Sequence, residues 1–223
     1  MTPSLPAGSV IALVGAESTG KTELAQALAL RLQQRGVAST WVPEYLREWC
    51  VREGRAPRRE EQQAIADEQT RRINEAARNG VAVADTTALS VAVYSDTVFA
   101  DTSLYPGAVA VQCRYTITLL TALDLPWIDD GLQREGPHVR EPFDGRLRSA
   151  LAGAGIGYAV VHGTGAQRLT SAWNAINAVA SRERPTGAPV RRGAASGWQW
   201  PCDKCSDPSC EHRLFSDLVA GRS

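Results

Sequence analysis

Eight consecutive residues, Gly15, Ala16, Glu17, Ser18, Thr19, Gly20, Lys21 and Thr22, carry the densest chemical information in the chain. They fit the pattern G-x-x-x-x-G-K-[ST], whose glycines let the backbone curl until successive N–H groups point at phosphate oxygens. Lys21 would bring a mobile ammonium to the β- and γ-phosphates, and the Thr22 hydroxyl would ligate Mg²⁺. A helix opening at Lys21 would add the positive end of its dipole to the same anion site. The chemistry implied is binding of a nucleoside triphosphate with Mg²⁺ and transfer of its terminal phosphoryl group.

Three further groups could complete such a reaction. Asp85 ends the apolar run Val81-Ala-Val-Ala, where a carboxylate can face the Mg²⁺ shell. With Thr86 and Thr87 next, capping a following helix is its other use. Glu44 lies just beyond a second apolar run, in Pro43-Glu44-Tyr45-Leu46-Arg47-Glu48. A carboxylate at the C-terminal edge of a parallel sheet overlooks the ligand crevice, and from there Glu44 could take a proton from a substrate hydroxyl attacking the γ-phosphate. The plainer reading is a first-turn glutamate stabilised by the helix dipole. The polar stretch at 129–140 contains Arg134 and Arg140, which could close over a triphosphate or simply sit on a solvated loop. No N/T-K-x-D guanine signature occurs, which favours a small-molecule kinase over a GTPase switch.

These side chains need strands and helices to hold them, and the hydropathy pattern supplies both. Residues 10–14, 37–42, 81–84, 115–120 and 158–161 are short and nearly all apolar, as expected of strands covered on both faces. Helices are predicted between them, over 21–35, 44–53, 60–78, 90–99, 142–152 and 169–182. Leu24, Leu28 and Leu32 form an apolar stripe in the first, and Ile65 and Ile73 in the third. The alternation predicts an α/β fold: a P-loop NTPase-type parallel five-stranded sheet flanked by helices, spanning residues 1–182. Residues 183–197, rich in Arg, Pro, Gly, Ala and Ser without periodicity, read as a flexible linker to a short Cys-rich appendage at 198–223.

A length of 223 residues suits one such domain. Lys+Arg and Asp+Glu number 24 each, so no overall field draws the chain to nucleic acid or membrane. No apolar run approaches the roughly 20 residues of a membrane span, and residues 1–8 lack the features of a signal peptide. The expectation is a cytoplasmic protein acting on a small nucleoside-type molecule, with self-association left open. Cys50 and Cys113, each isolated beside apolar residues, are expected to be buried thiols. Cys202, Cys205, Cys210 and His212 offer three sulfurs and an imidazole, a donor set that would close a structural Zn²⁺ tetrahedron. Reactive thiols, or a peptide docked through Trp198, Trp200, Leu214 and Phe215, are the alternatives for this tail.

The segments GAESTGKT at 15–22, PEYLRE at 43–48, IADEQ at 65–69, ADTT at 84–87 and LDLPWIDDGLQREGP at 123–137 occur in this order. Together they resemble the ribosylnicotinamide kinase domain of the NadR family, over about residues 10–180. The resemblance implies that ATP phosphorylates the 5′-hydroxyl of nicotinamide riboside to give nicotinamide mononucleotide. It places Glu44, with Tyr45 and Arg47, near the riboside, Asp85 near Mg²⁺, and Arg134 and Arg140 in a lid. Trp127 would stand at the base of that lid, stacking on a nicotinamide ring or simply packing. Gly163 and Gly165 would belong to a loop near the adenine. Gln69 reads either as a helix-surface side chain or as a hydrogen-bond partner for a base-like ring. Longer members of the family carry an adenylyltransferase domain; no H-x-G-H signature occurs here, so the kinase step alone is expected. A regulatory ATP-binding or ATPase module, and a kinase for another nucleoside, are the alternatives.

Overall fold

The structure, a computed structural model, describes residues 3, 5–128 and 137–182. Arg134, the linker, and the tail with Cys202, Cys205, Cys210 and His212 lie outside the described residues, and with them the Zn²⁺ expectation.

Five strands form one parallel sheet: β1 (Val10–Val14), β2 (Ser39–Val42), β3 (Val81–Asp85), β4 (Ile117–Thr121) and β5 (Ala159–Val161), in the order β2-β3-β1-β4-β5. β1 is central, and its register pairs Leu13 with Asp85 on one side and Val14 with Leu120 on the other. The loop leaving β1 therefore emerges between the ends of β3 and β4. That placement sets the site, because Asp85 and Thr121 flank the phosphate loop.

The period of two divides the strands between two cores. Ile11, Leu13, Val81, Val83, Ile117 and Leu119 pack against α1 (Lys21–Gln34) and α7 (Gly165–Arg182). Val14 and Leu120 face the other way, toward α2 (Tyr45–Glu53), α3 (Gln62–Ala77), α4 (Ala88–Phe99) and α6 (Arg140–Gly153). Val10, Val42, Ala82 and Ala84 add a smaller cluster with Ile73 and Ala77 of α3. Every residue of β1, β3 and β4 is buried, which is why those runs read as continuously apolar rather than alternating. Arg31, on the stripe of α1, stacks its guanidinium 4.5 Å from the Trp173 ring centroid on α7.

Several boundaries differ from the sequence expectation. α5 (Tyr105–Gln112) lies in a stretch given no element in the sequence reading, with Pro106 in its first turn. Proline in a first helical turn lacks only an N–H that had no partner there anyway, so the helix forms. α7 starts at Gly165, four residues early, and α6 starts at Arg140 rather than 142. Short 3₁₀ turns at Arg59–Glu61 and Pro137–Val139 lead into α3 and α6. Among the described residues no helix is long and apolar enough to cross a membrane.

Candidate active site

The phosphate loop is anchored at both ends. Gly15 has φ +147°, and a Cβ there would collide with the Thr121 hydroxyl, so only glycine lets the loop pass β4. Thr19 donates from its hydroxyl to the Ala16 carbonyl at 2.7 Å and lies 2.7 Å from the Thr121 hydroxyl. Ser18, at φ +51°, donates to the Ile128 carbonyl at 2.7 Å. Gly20, at φ +72°, hands the chain to α1, whose first two residues are Lys21 and Thr22. The Lys21 ammonium donates to the Ala16 carbonyl at 2.7 Å, folded across the loop it would share with a triphosphate.

A second anchor was missed from sequence. The Arg168 guanidinium, only 4% exposed, donates to the carbonyls of Thr19 (2.7 Å) and Gly163 (2.8 Å) and to the Asp124 carboxylate (2.8 Å). The Gly163 amide donates to the other oxygen of Asp124 at 2.6 Å. Burial would raise the Asp124 carboxyl, but the Arg168 guanidinium and the Gly163 amide hold it below its ordinary range. Arg168 thus ties the phosphate loop to the ends of β4 and β5. Its signal was a charge on the apolar stripe that continues through Ala172 and Ile176.

Asp85 is 1% exposed, and its Oδ2 accepts the Thr22 hydroxyl at 2.6 Å. It does not cap α4; Thr87 holds that position. Burial and then the negative charge of Glu44 push its carboxyl up to about 6, against the opposing pull of Lys21, the Thr22 hydrogen bond and Arg47. Its Oδ1 is buried with no hydrogen-bond partner among the described residues. Two hard oxygen donors, one buried carboxylate oxygen of which is unspent, fit Mg²⁺ beside a triphosphate.

Glu44 is the N-cap residue of α2, with extended backbone, yet its side chain makes no capping hydrogen bond. It stands 3.9 Å from the Arg47 guanidinium with 19% of its side chain exposed. Glu44, Arg47, Lys21 and Thr22 all line one cavity of about 430 Å³, which is walled on its apolar side by Leu46, Cys50, Pro57, Tyr94 and Leu125. Its size falls in the range of ~300–1,000 Å³ typical of small-molecule sites. A lining that combines charged and apolar side chains suits a ligand with a hydroxylated and a ring-like part.

Several other expected site residues sit elsewhere. The Tyr45 ring lies under the Arg72 guanidinium at 4.5 Å, and its hydroxyl accepts from Arg52; it does not line the cavity. Trp127 is half-buried and does not line it either, although its neighbours Pro126 and Ile128 do. Gly163 and Gly165 serve the Arg168 anchor and the first turn of α7. Arg140 is no solvated lid residue: it is buried at the start of α6, donating to the Leu125 carbonyl at 2.9 Å. Gln69 is neither on the helix surface nor in the cavity; it is 1% exposed. Cys50 is half-buried in the cavity wall and Cys113 is exposed, so neither is a fully buried thiol.

A profile described as an AAA domain (AAA_28) matches residues 10–168, from the first residue of β1 to Arg168. The chain belongs to the AAA_28 family. In fold, this AAA-domain chain is similar to a crystal structure of NadR protein in complex with NAD and AMP-PNP, with TM-score 0.59 and 20% identity. It is also similar to a crystal structure of NadR protein in complex with NR, with TM-score 0.61 and 22% identity. The two likenesses cover 83% and 84% of this chain but 51% and 52% of those chains, so it spans about half their length. No curated protein matches the sequence.

Proposed function

We propose that this chain is an ATP-dependent kinase that phosphorylates the 5′-hydroxyl of nicotinamide riboside. The observation that carries the reading is that the phosphate loop and Glu44 line one and the same cavity. NadR proteins of similar fold have been crystallised with NR and with AMP-PNP. The motifs shared in order along the chain favour that acceptor over other nucleosides.

In this reading the backbone amides of the loop and the α1 N-terminus bind the β- and γ-phosphates. Lys21 swings from the Ala16 carbonyl to the transferring group and offsets its charge. Mg²⁺, when bound, neutralises charge on the phosphate oxygens; Thr22 and Asp85 would hold it. Glu44 accepts the proton of the attacking hydroxyl, and Arg47 beside it orients the carboxylate. The apolar wall excludes water and receives the ring of the acceptor. Because transfer of this kind depends on positioning and electrostatics, a rigid loop matters more than any covalent step.

A panel of nucleosides incubated with the protein, ATP and Mg²⁺ tests the proposal. Acceptor-dependent ADP formation with nicotinamide riboside is expected. Turnover with a different nucleoside alone would refute the substrate, and slow hydrolysis indifferent to every nucleoside would refute the kinase.

A further inference from the structure

Gln69 lies in the middle of α3 on the same buried stripe as Ile65 and Ile73. An amide is tolerated there only if both its ends are paired. Its Oε1 accepts from the Tyr45 backbone N–H at 2.7 Å, and its Nε2 donates to the Thr86 carbonyl at 3.3 Å. These backbone groups belong to the residues immediately after Glu44 and Asp85. One side chain therefore bridges the acceptor side and the metal side of the cleft.

Each bond has a local reason. The Tyr45 N–H is one of the donors that the first turn of a helix leaves without an internal partner. An N-cap side chain serves the N–H groups of the second and third helical residues, not that of the first, and Glu44 makes no capping hydrogen bond. Gln69 satisfies that first N–H from another element, directly beside Glu44, which lines the cavity. At the other end Thr86 holds φ +78°, a conformation β-branched residues rarely adopt. It persists because its N–H donates to the Leu13 carbonyl at 3.1 Å while its carbonyl accepts from Gln69. That bend carries the chain away from β3 directly after Asp85.

We propose that Gln69 is a positioning residue for phosphoryl transfer: by pinning the first N–H of α2 and fixing the bend after Asp85, it holds Glu44 and Asp85 in place at the cleft. It does not line the cavity and acts through Tyr45 and Thr86. The inference rests on the kinase reading above.

Gln69→Met preserves length and removes both hydrogen bonds. With nicotinamide riboside, ATP and Mg²⁺, its kcat should fall by ~10–10²-fold, the scale of a reacting group displaced by about 1 Å. The KM for ATP should stay within about twofold, because the phosphate loop has its own anchors. Ile65→Val, on the same stripe, is the control for simple core damage and should retain wild-type kcat. Hydrogen exchange at the Tyr45 amide should accelerate in Gln69→Met by roughly tenfold or more and not in Ile65→Val. An active wild type with Gln69→Met kcat within twofold of it, or an equal kcat loss in Ile65→Val, overturns the inference alone; so does an unchanged Tyr45 amide. A wild type that phosphorylates no nucleoside overturns the kinase reading instead, and this inference with it.

Discussion

Replacing Asp85 with asparagine should make the nucleotide-free protein more stable while lowering transfer. The folded carboxyl titrates at about 6 against an ordinary 3.8, chiefly because it is buried and next because Glu44 is near. The folded state then keeps a proton that the unfolded chain has already lost. Stability therefore falls as pH rises from about 4 to about 6, and the whole penalty is present above that window. A gap of roughly two pH units at ~1.4 kcal/mol each makes the penalty about 3 kcal/mol at pH 7.5. Asparagine carries no charge, and its carbonyl oxygen can still accept the Thr22 hydroxyl that Oδ2 accepts now. For a domain of this size ~1 kcal/mol corresponds to about 2–4 °C, so the Tm of Asp85→Asn should exceed wild type by roughly 6–12 °C. The assay is thermal unfolding at pH 7.5 in EDTA without nucleotide, repeated at pH 5, where the gap should shrink to about half. Saturating ATP and Mg²⁺ should raise the wild-type Tm and leave the variant little changed, because only a ligand that binds the folded state stabilises it. A variant no more stable than wild type at pH 7.5 in EDTA would refute the account of Asp85 as a buried carboxylate kept for a cation.

Two other substitutions probe the phosphate loop. Lys21→Ala should lower acceptor-dependent turnover by ~10²–10³ in steady-state assays, since it removes the cation aimed at the transferring group. Arg168→Met removes the donor shared by the Thr19 and Gly163 carbonyls and the Asp124 carboxylate. It should cost about 3 kcal/mol, read as a Tm lower by ~6–12 °C, and should raise the KM for ATP.

The sheet, its parallel sense and the phosphate loop were legible because their signals are local. β1, β3 and β4 are buried on both faces, so their composition announces them, and the loop motif lies within eight residues. Glu44 and Asp85 were legible as residues at strand ends, since parallel topology sends all strand C-termini to one edge. The side chains that hold the loop and carboxylates in place were harder to read. Gln69 and Arg168 act on backbone groups as far as 149 residues away, and no spacing rule reports such partners. What sequence did offer was a polar residue on an apolar stripe, at Gln69 between Ile65 and Ile73 and at Arg168 before Ala172 and Ile176. Such a residue is either exposed by a change of face or buried with its partners, and the hydropathy period cannot choose between them. Arg140, read as a lid residue or a solvated one, is instead the buried first residue of α6, and its Leu125 partner 15 residues away follows no spacing rule.

The central claim is that Glu44 deprotonates an acceptor hydroxyl held beside the γ-phosphate. Glu44→Gln keeps the shape and removes the base, so single-turnover transfer from γ-labelled ATP to nicotinamide riboside measures that role directly. The account predicts a loss of ~10²–10⁴ in the transfer rate with ATP affinity unchanged. Transfer at the wild-type rate would contradict it.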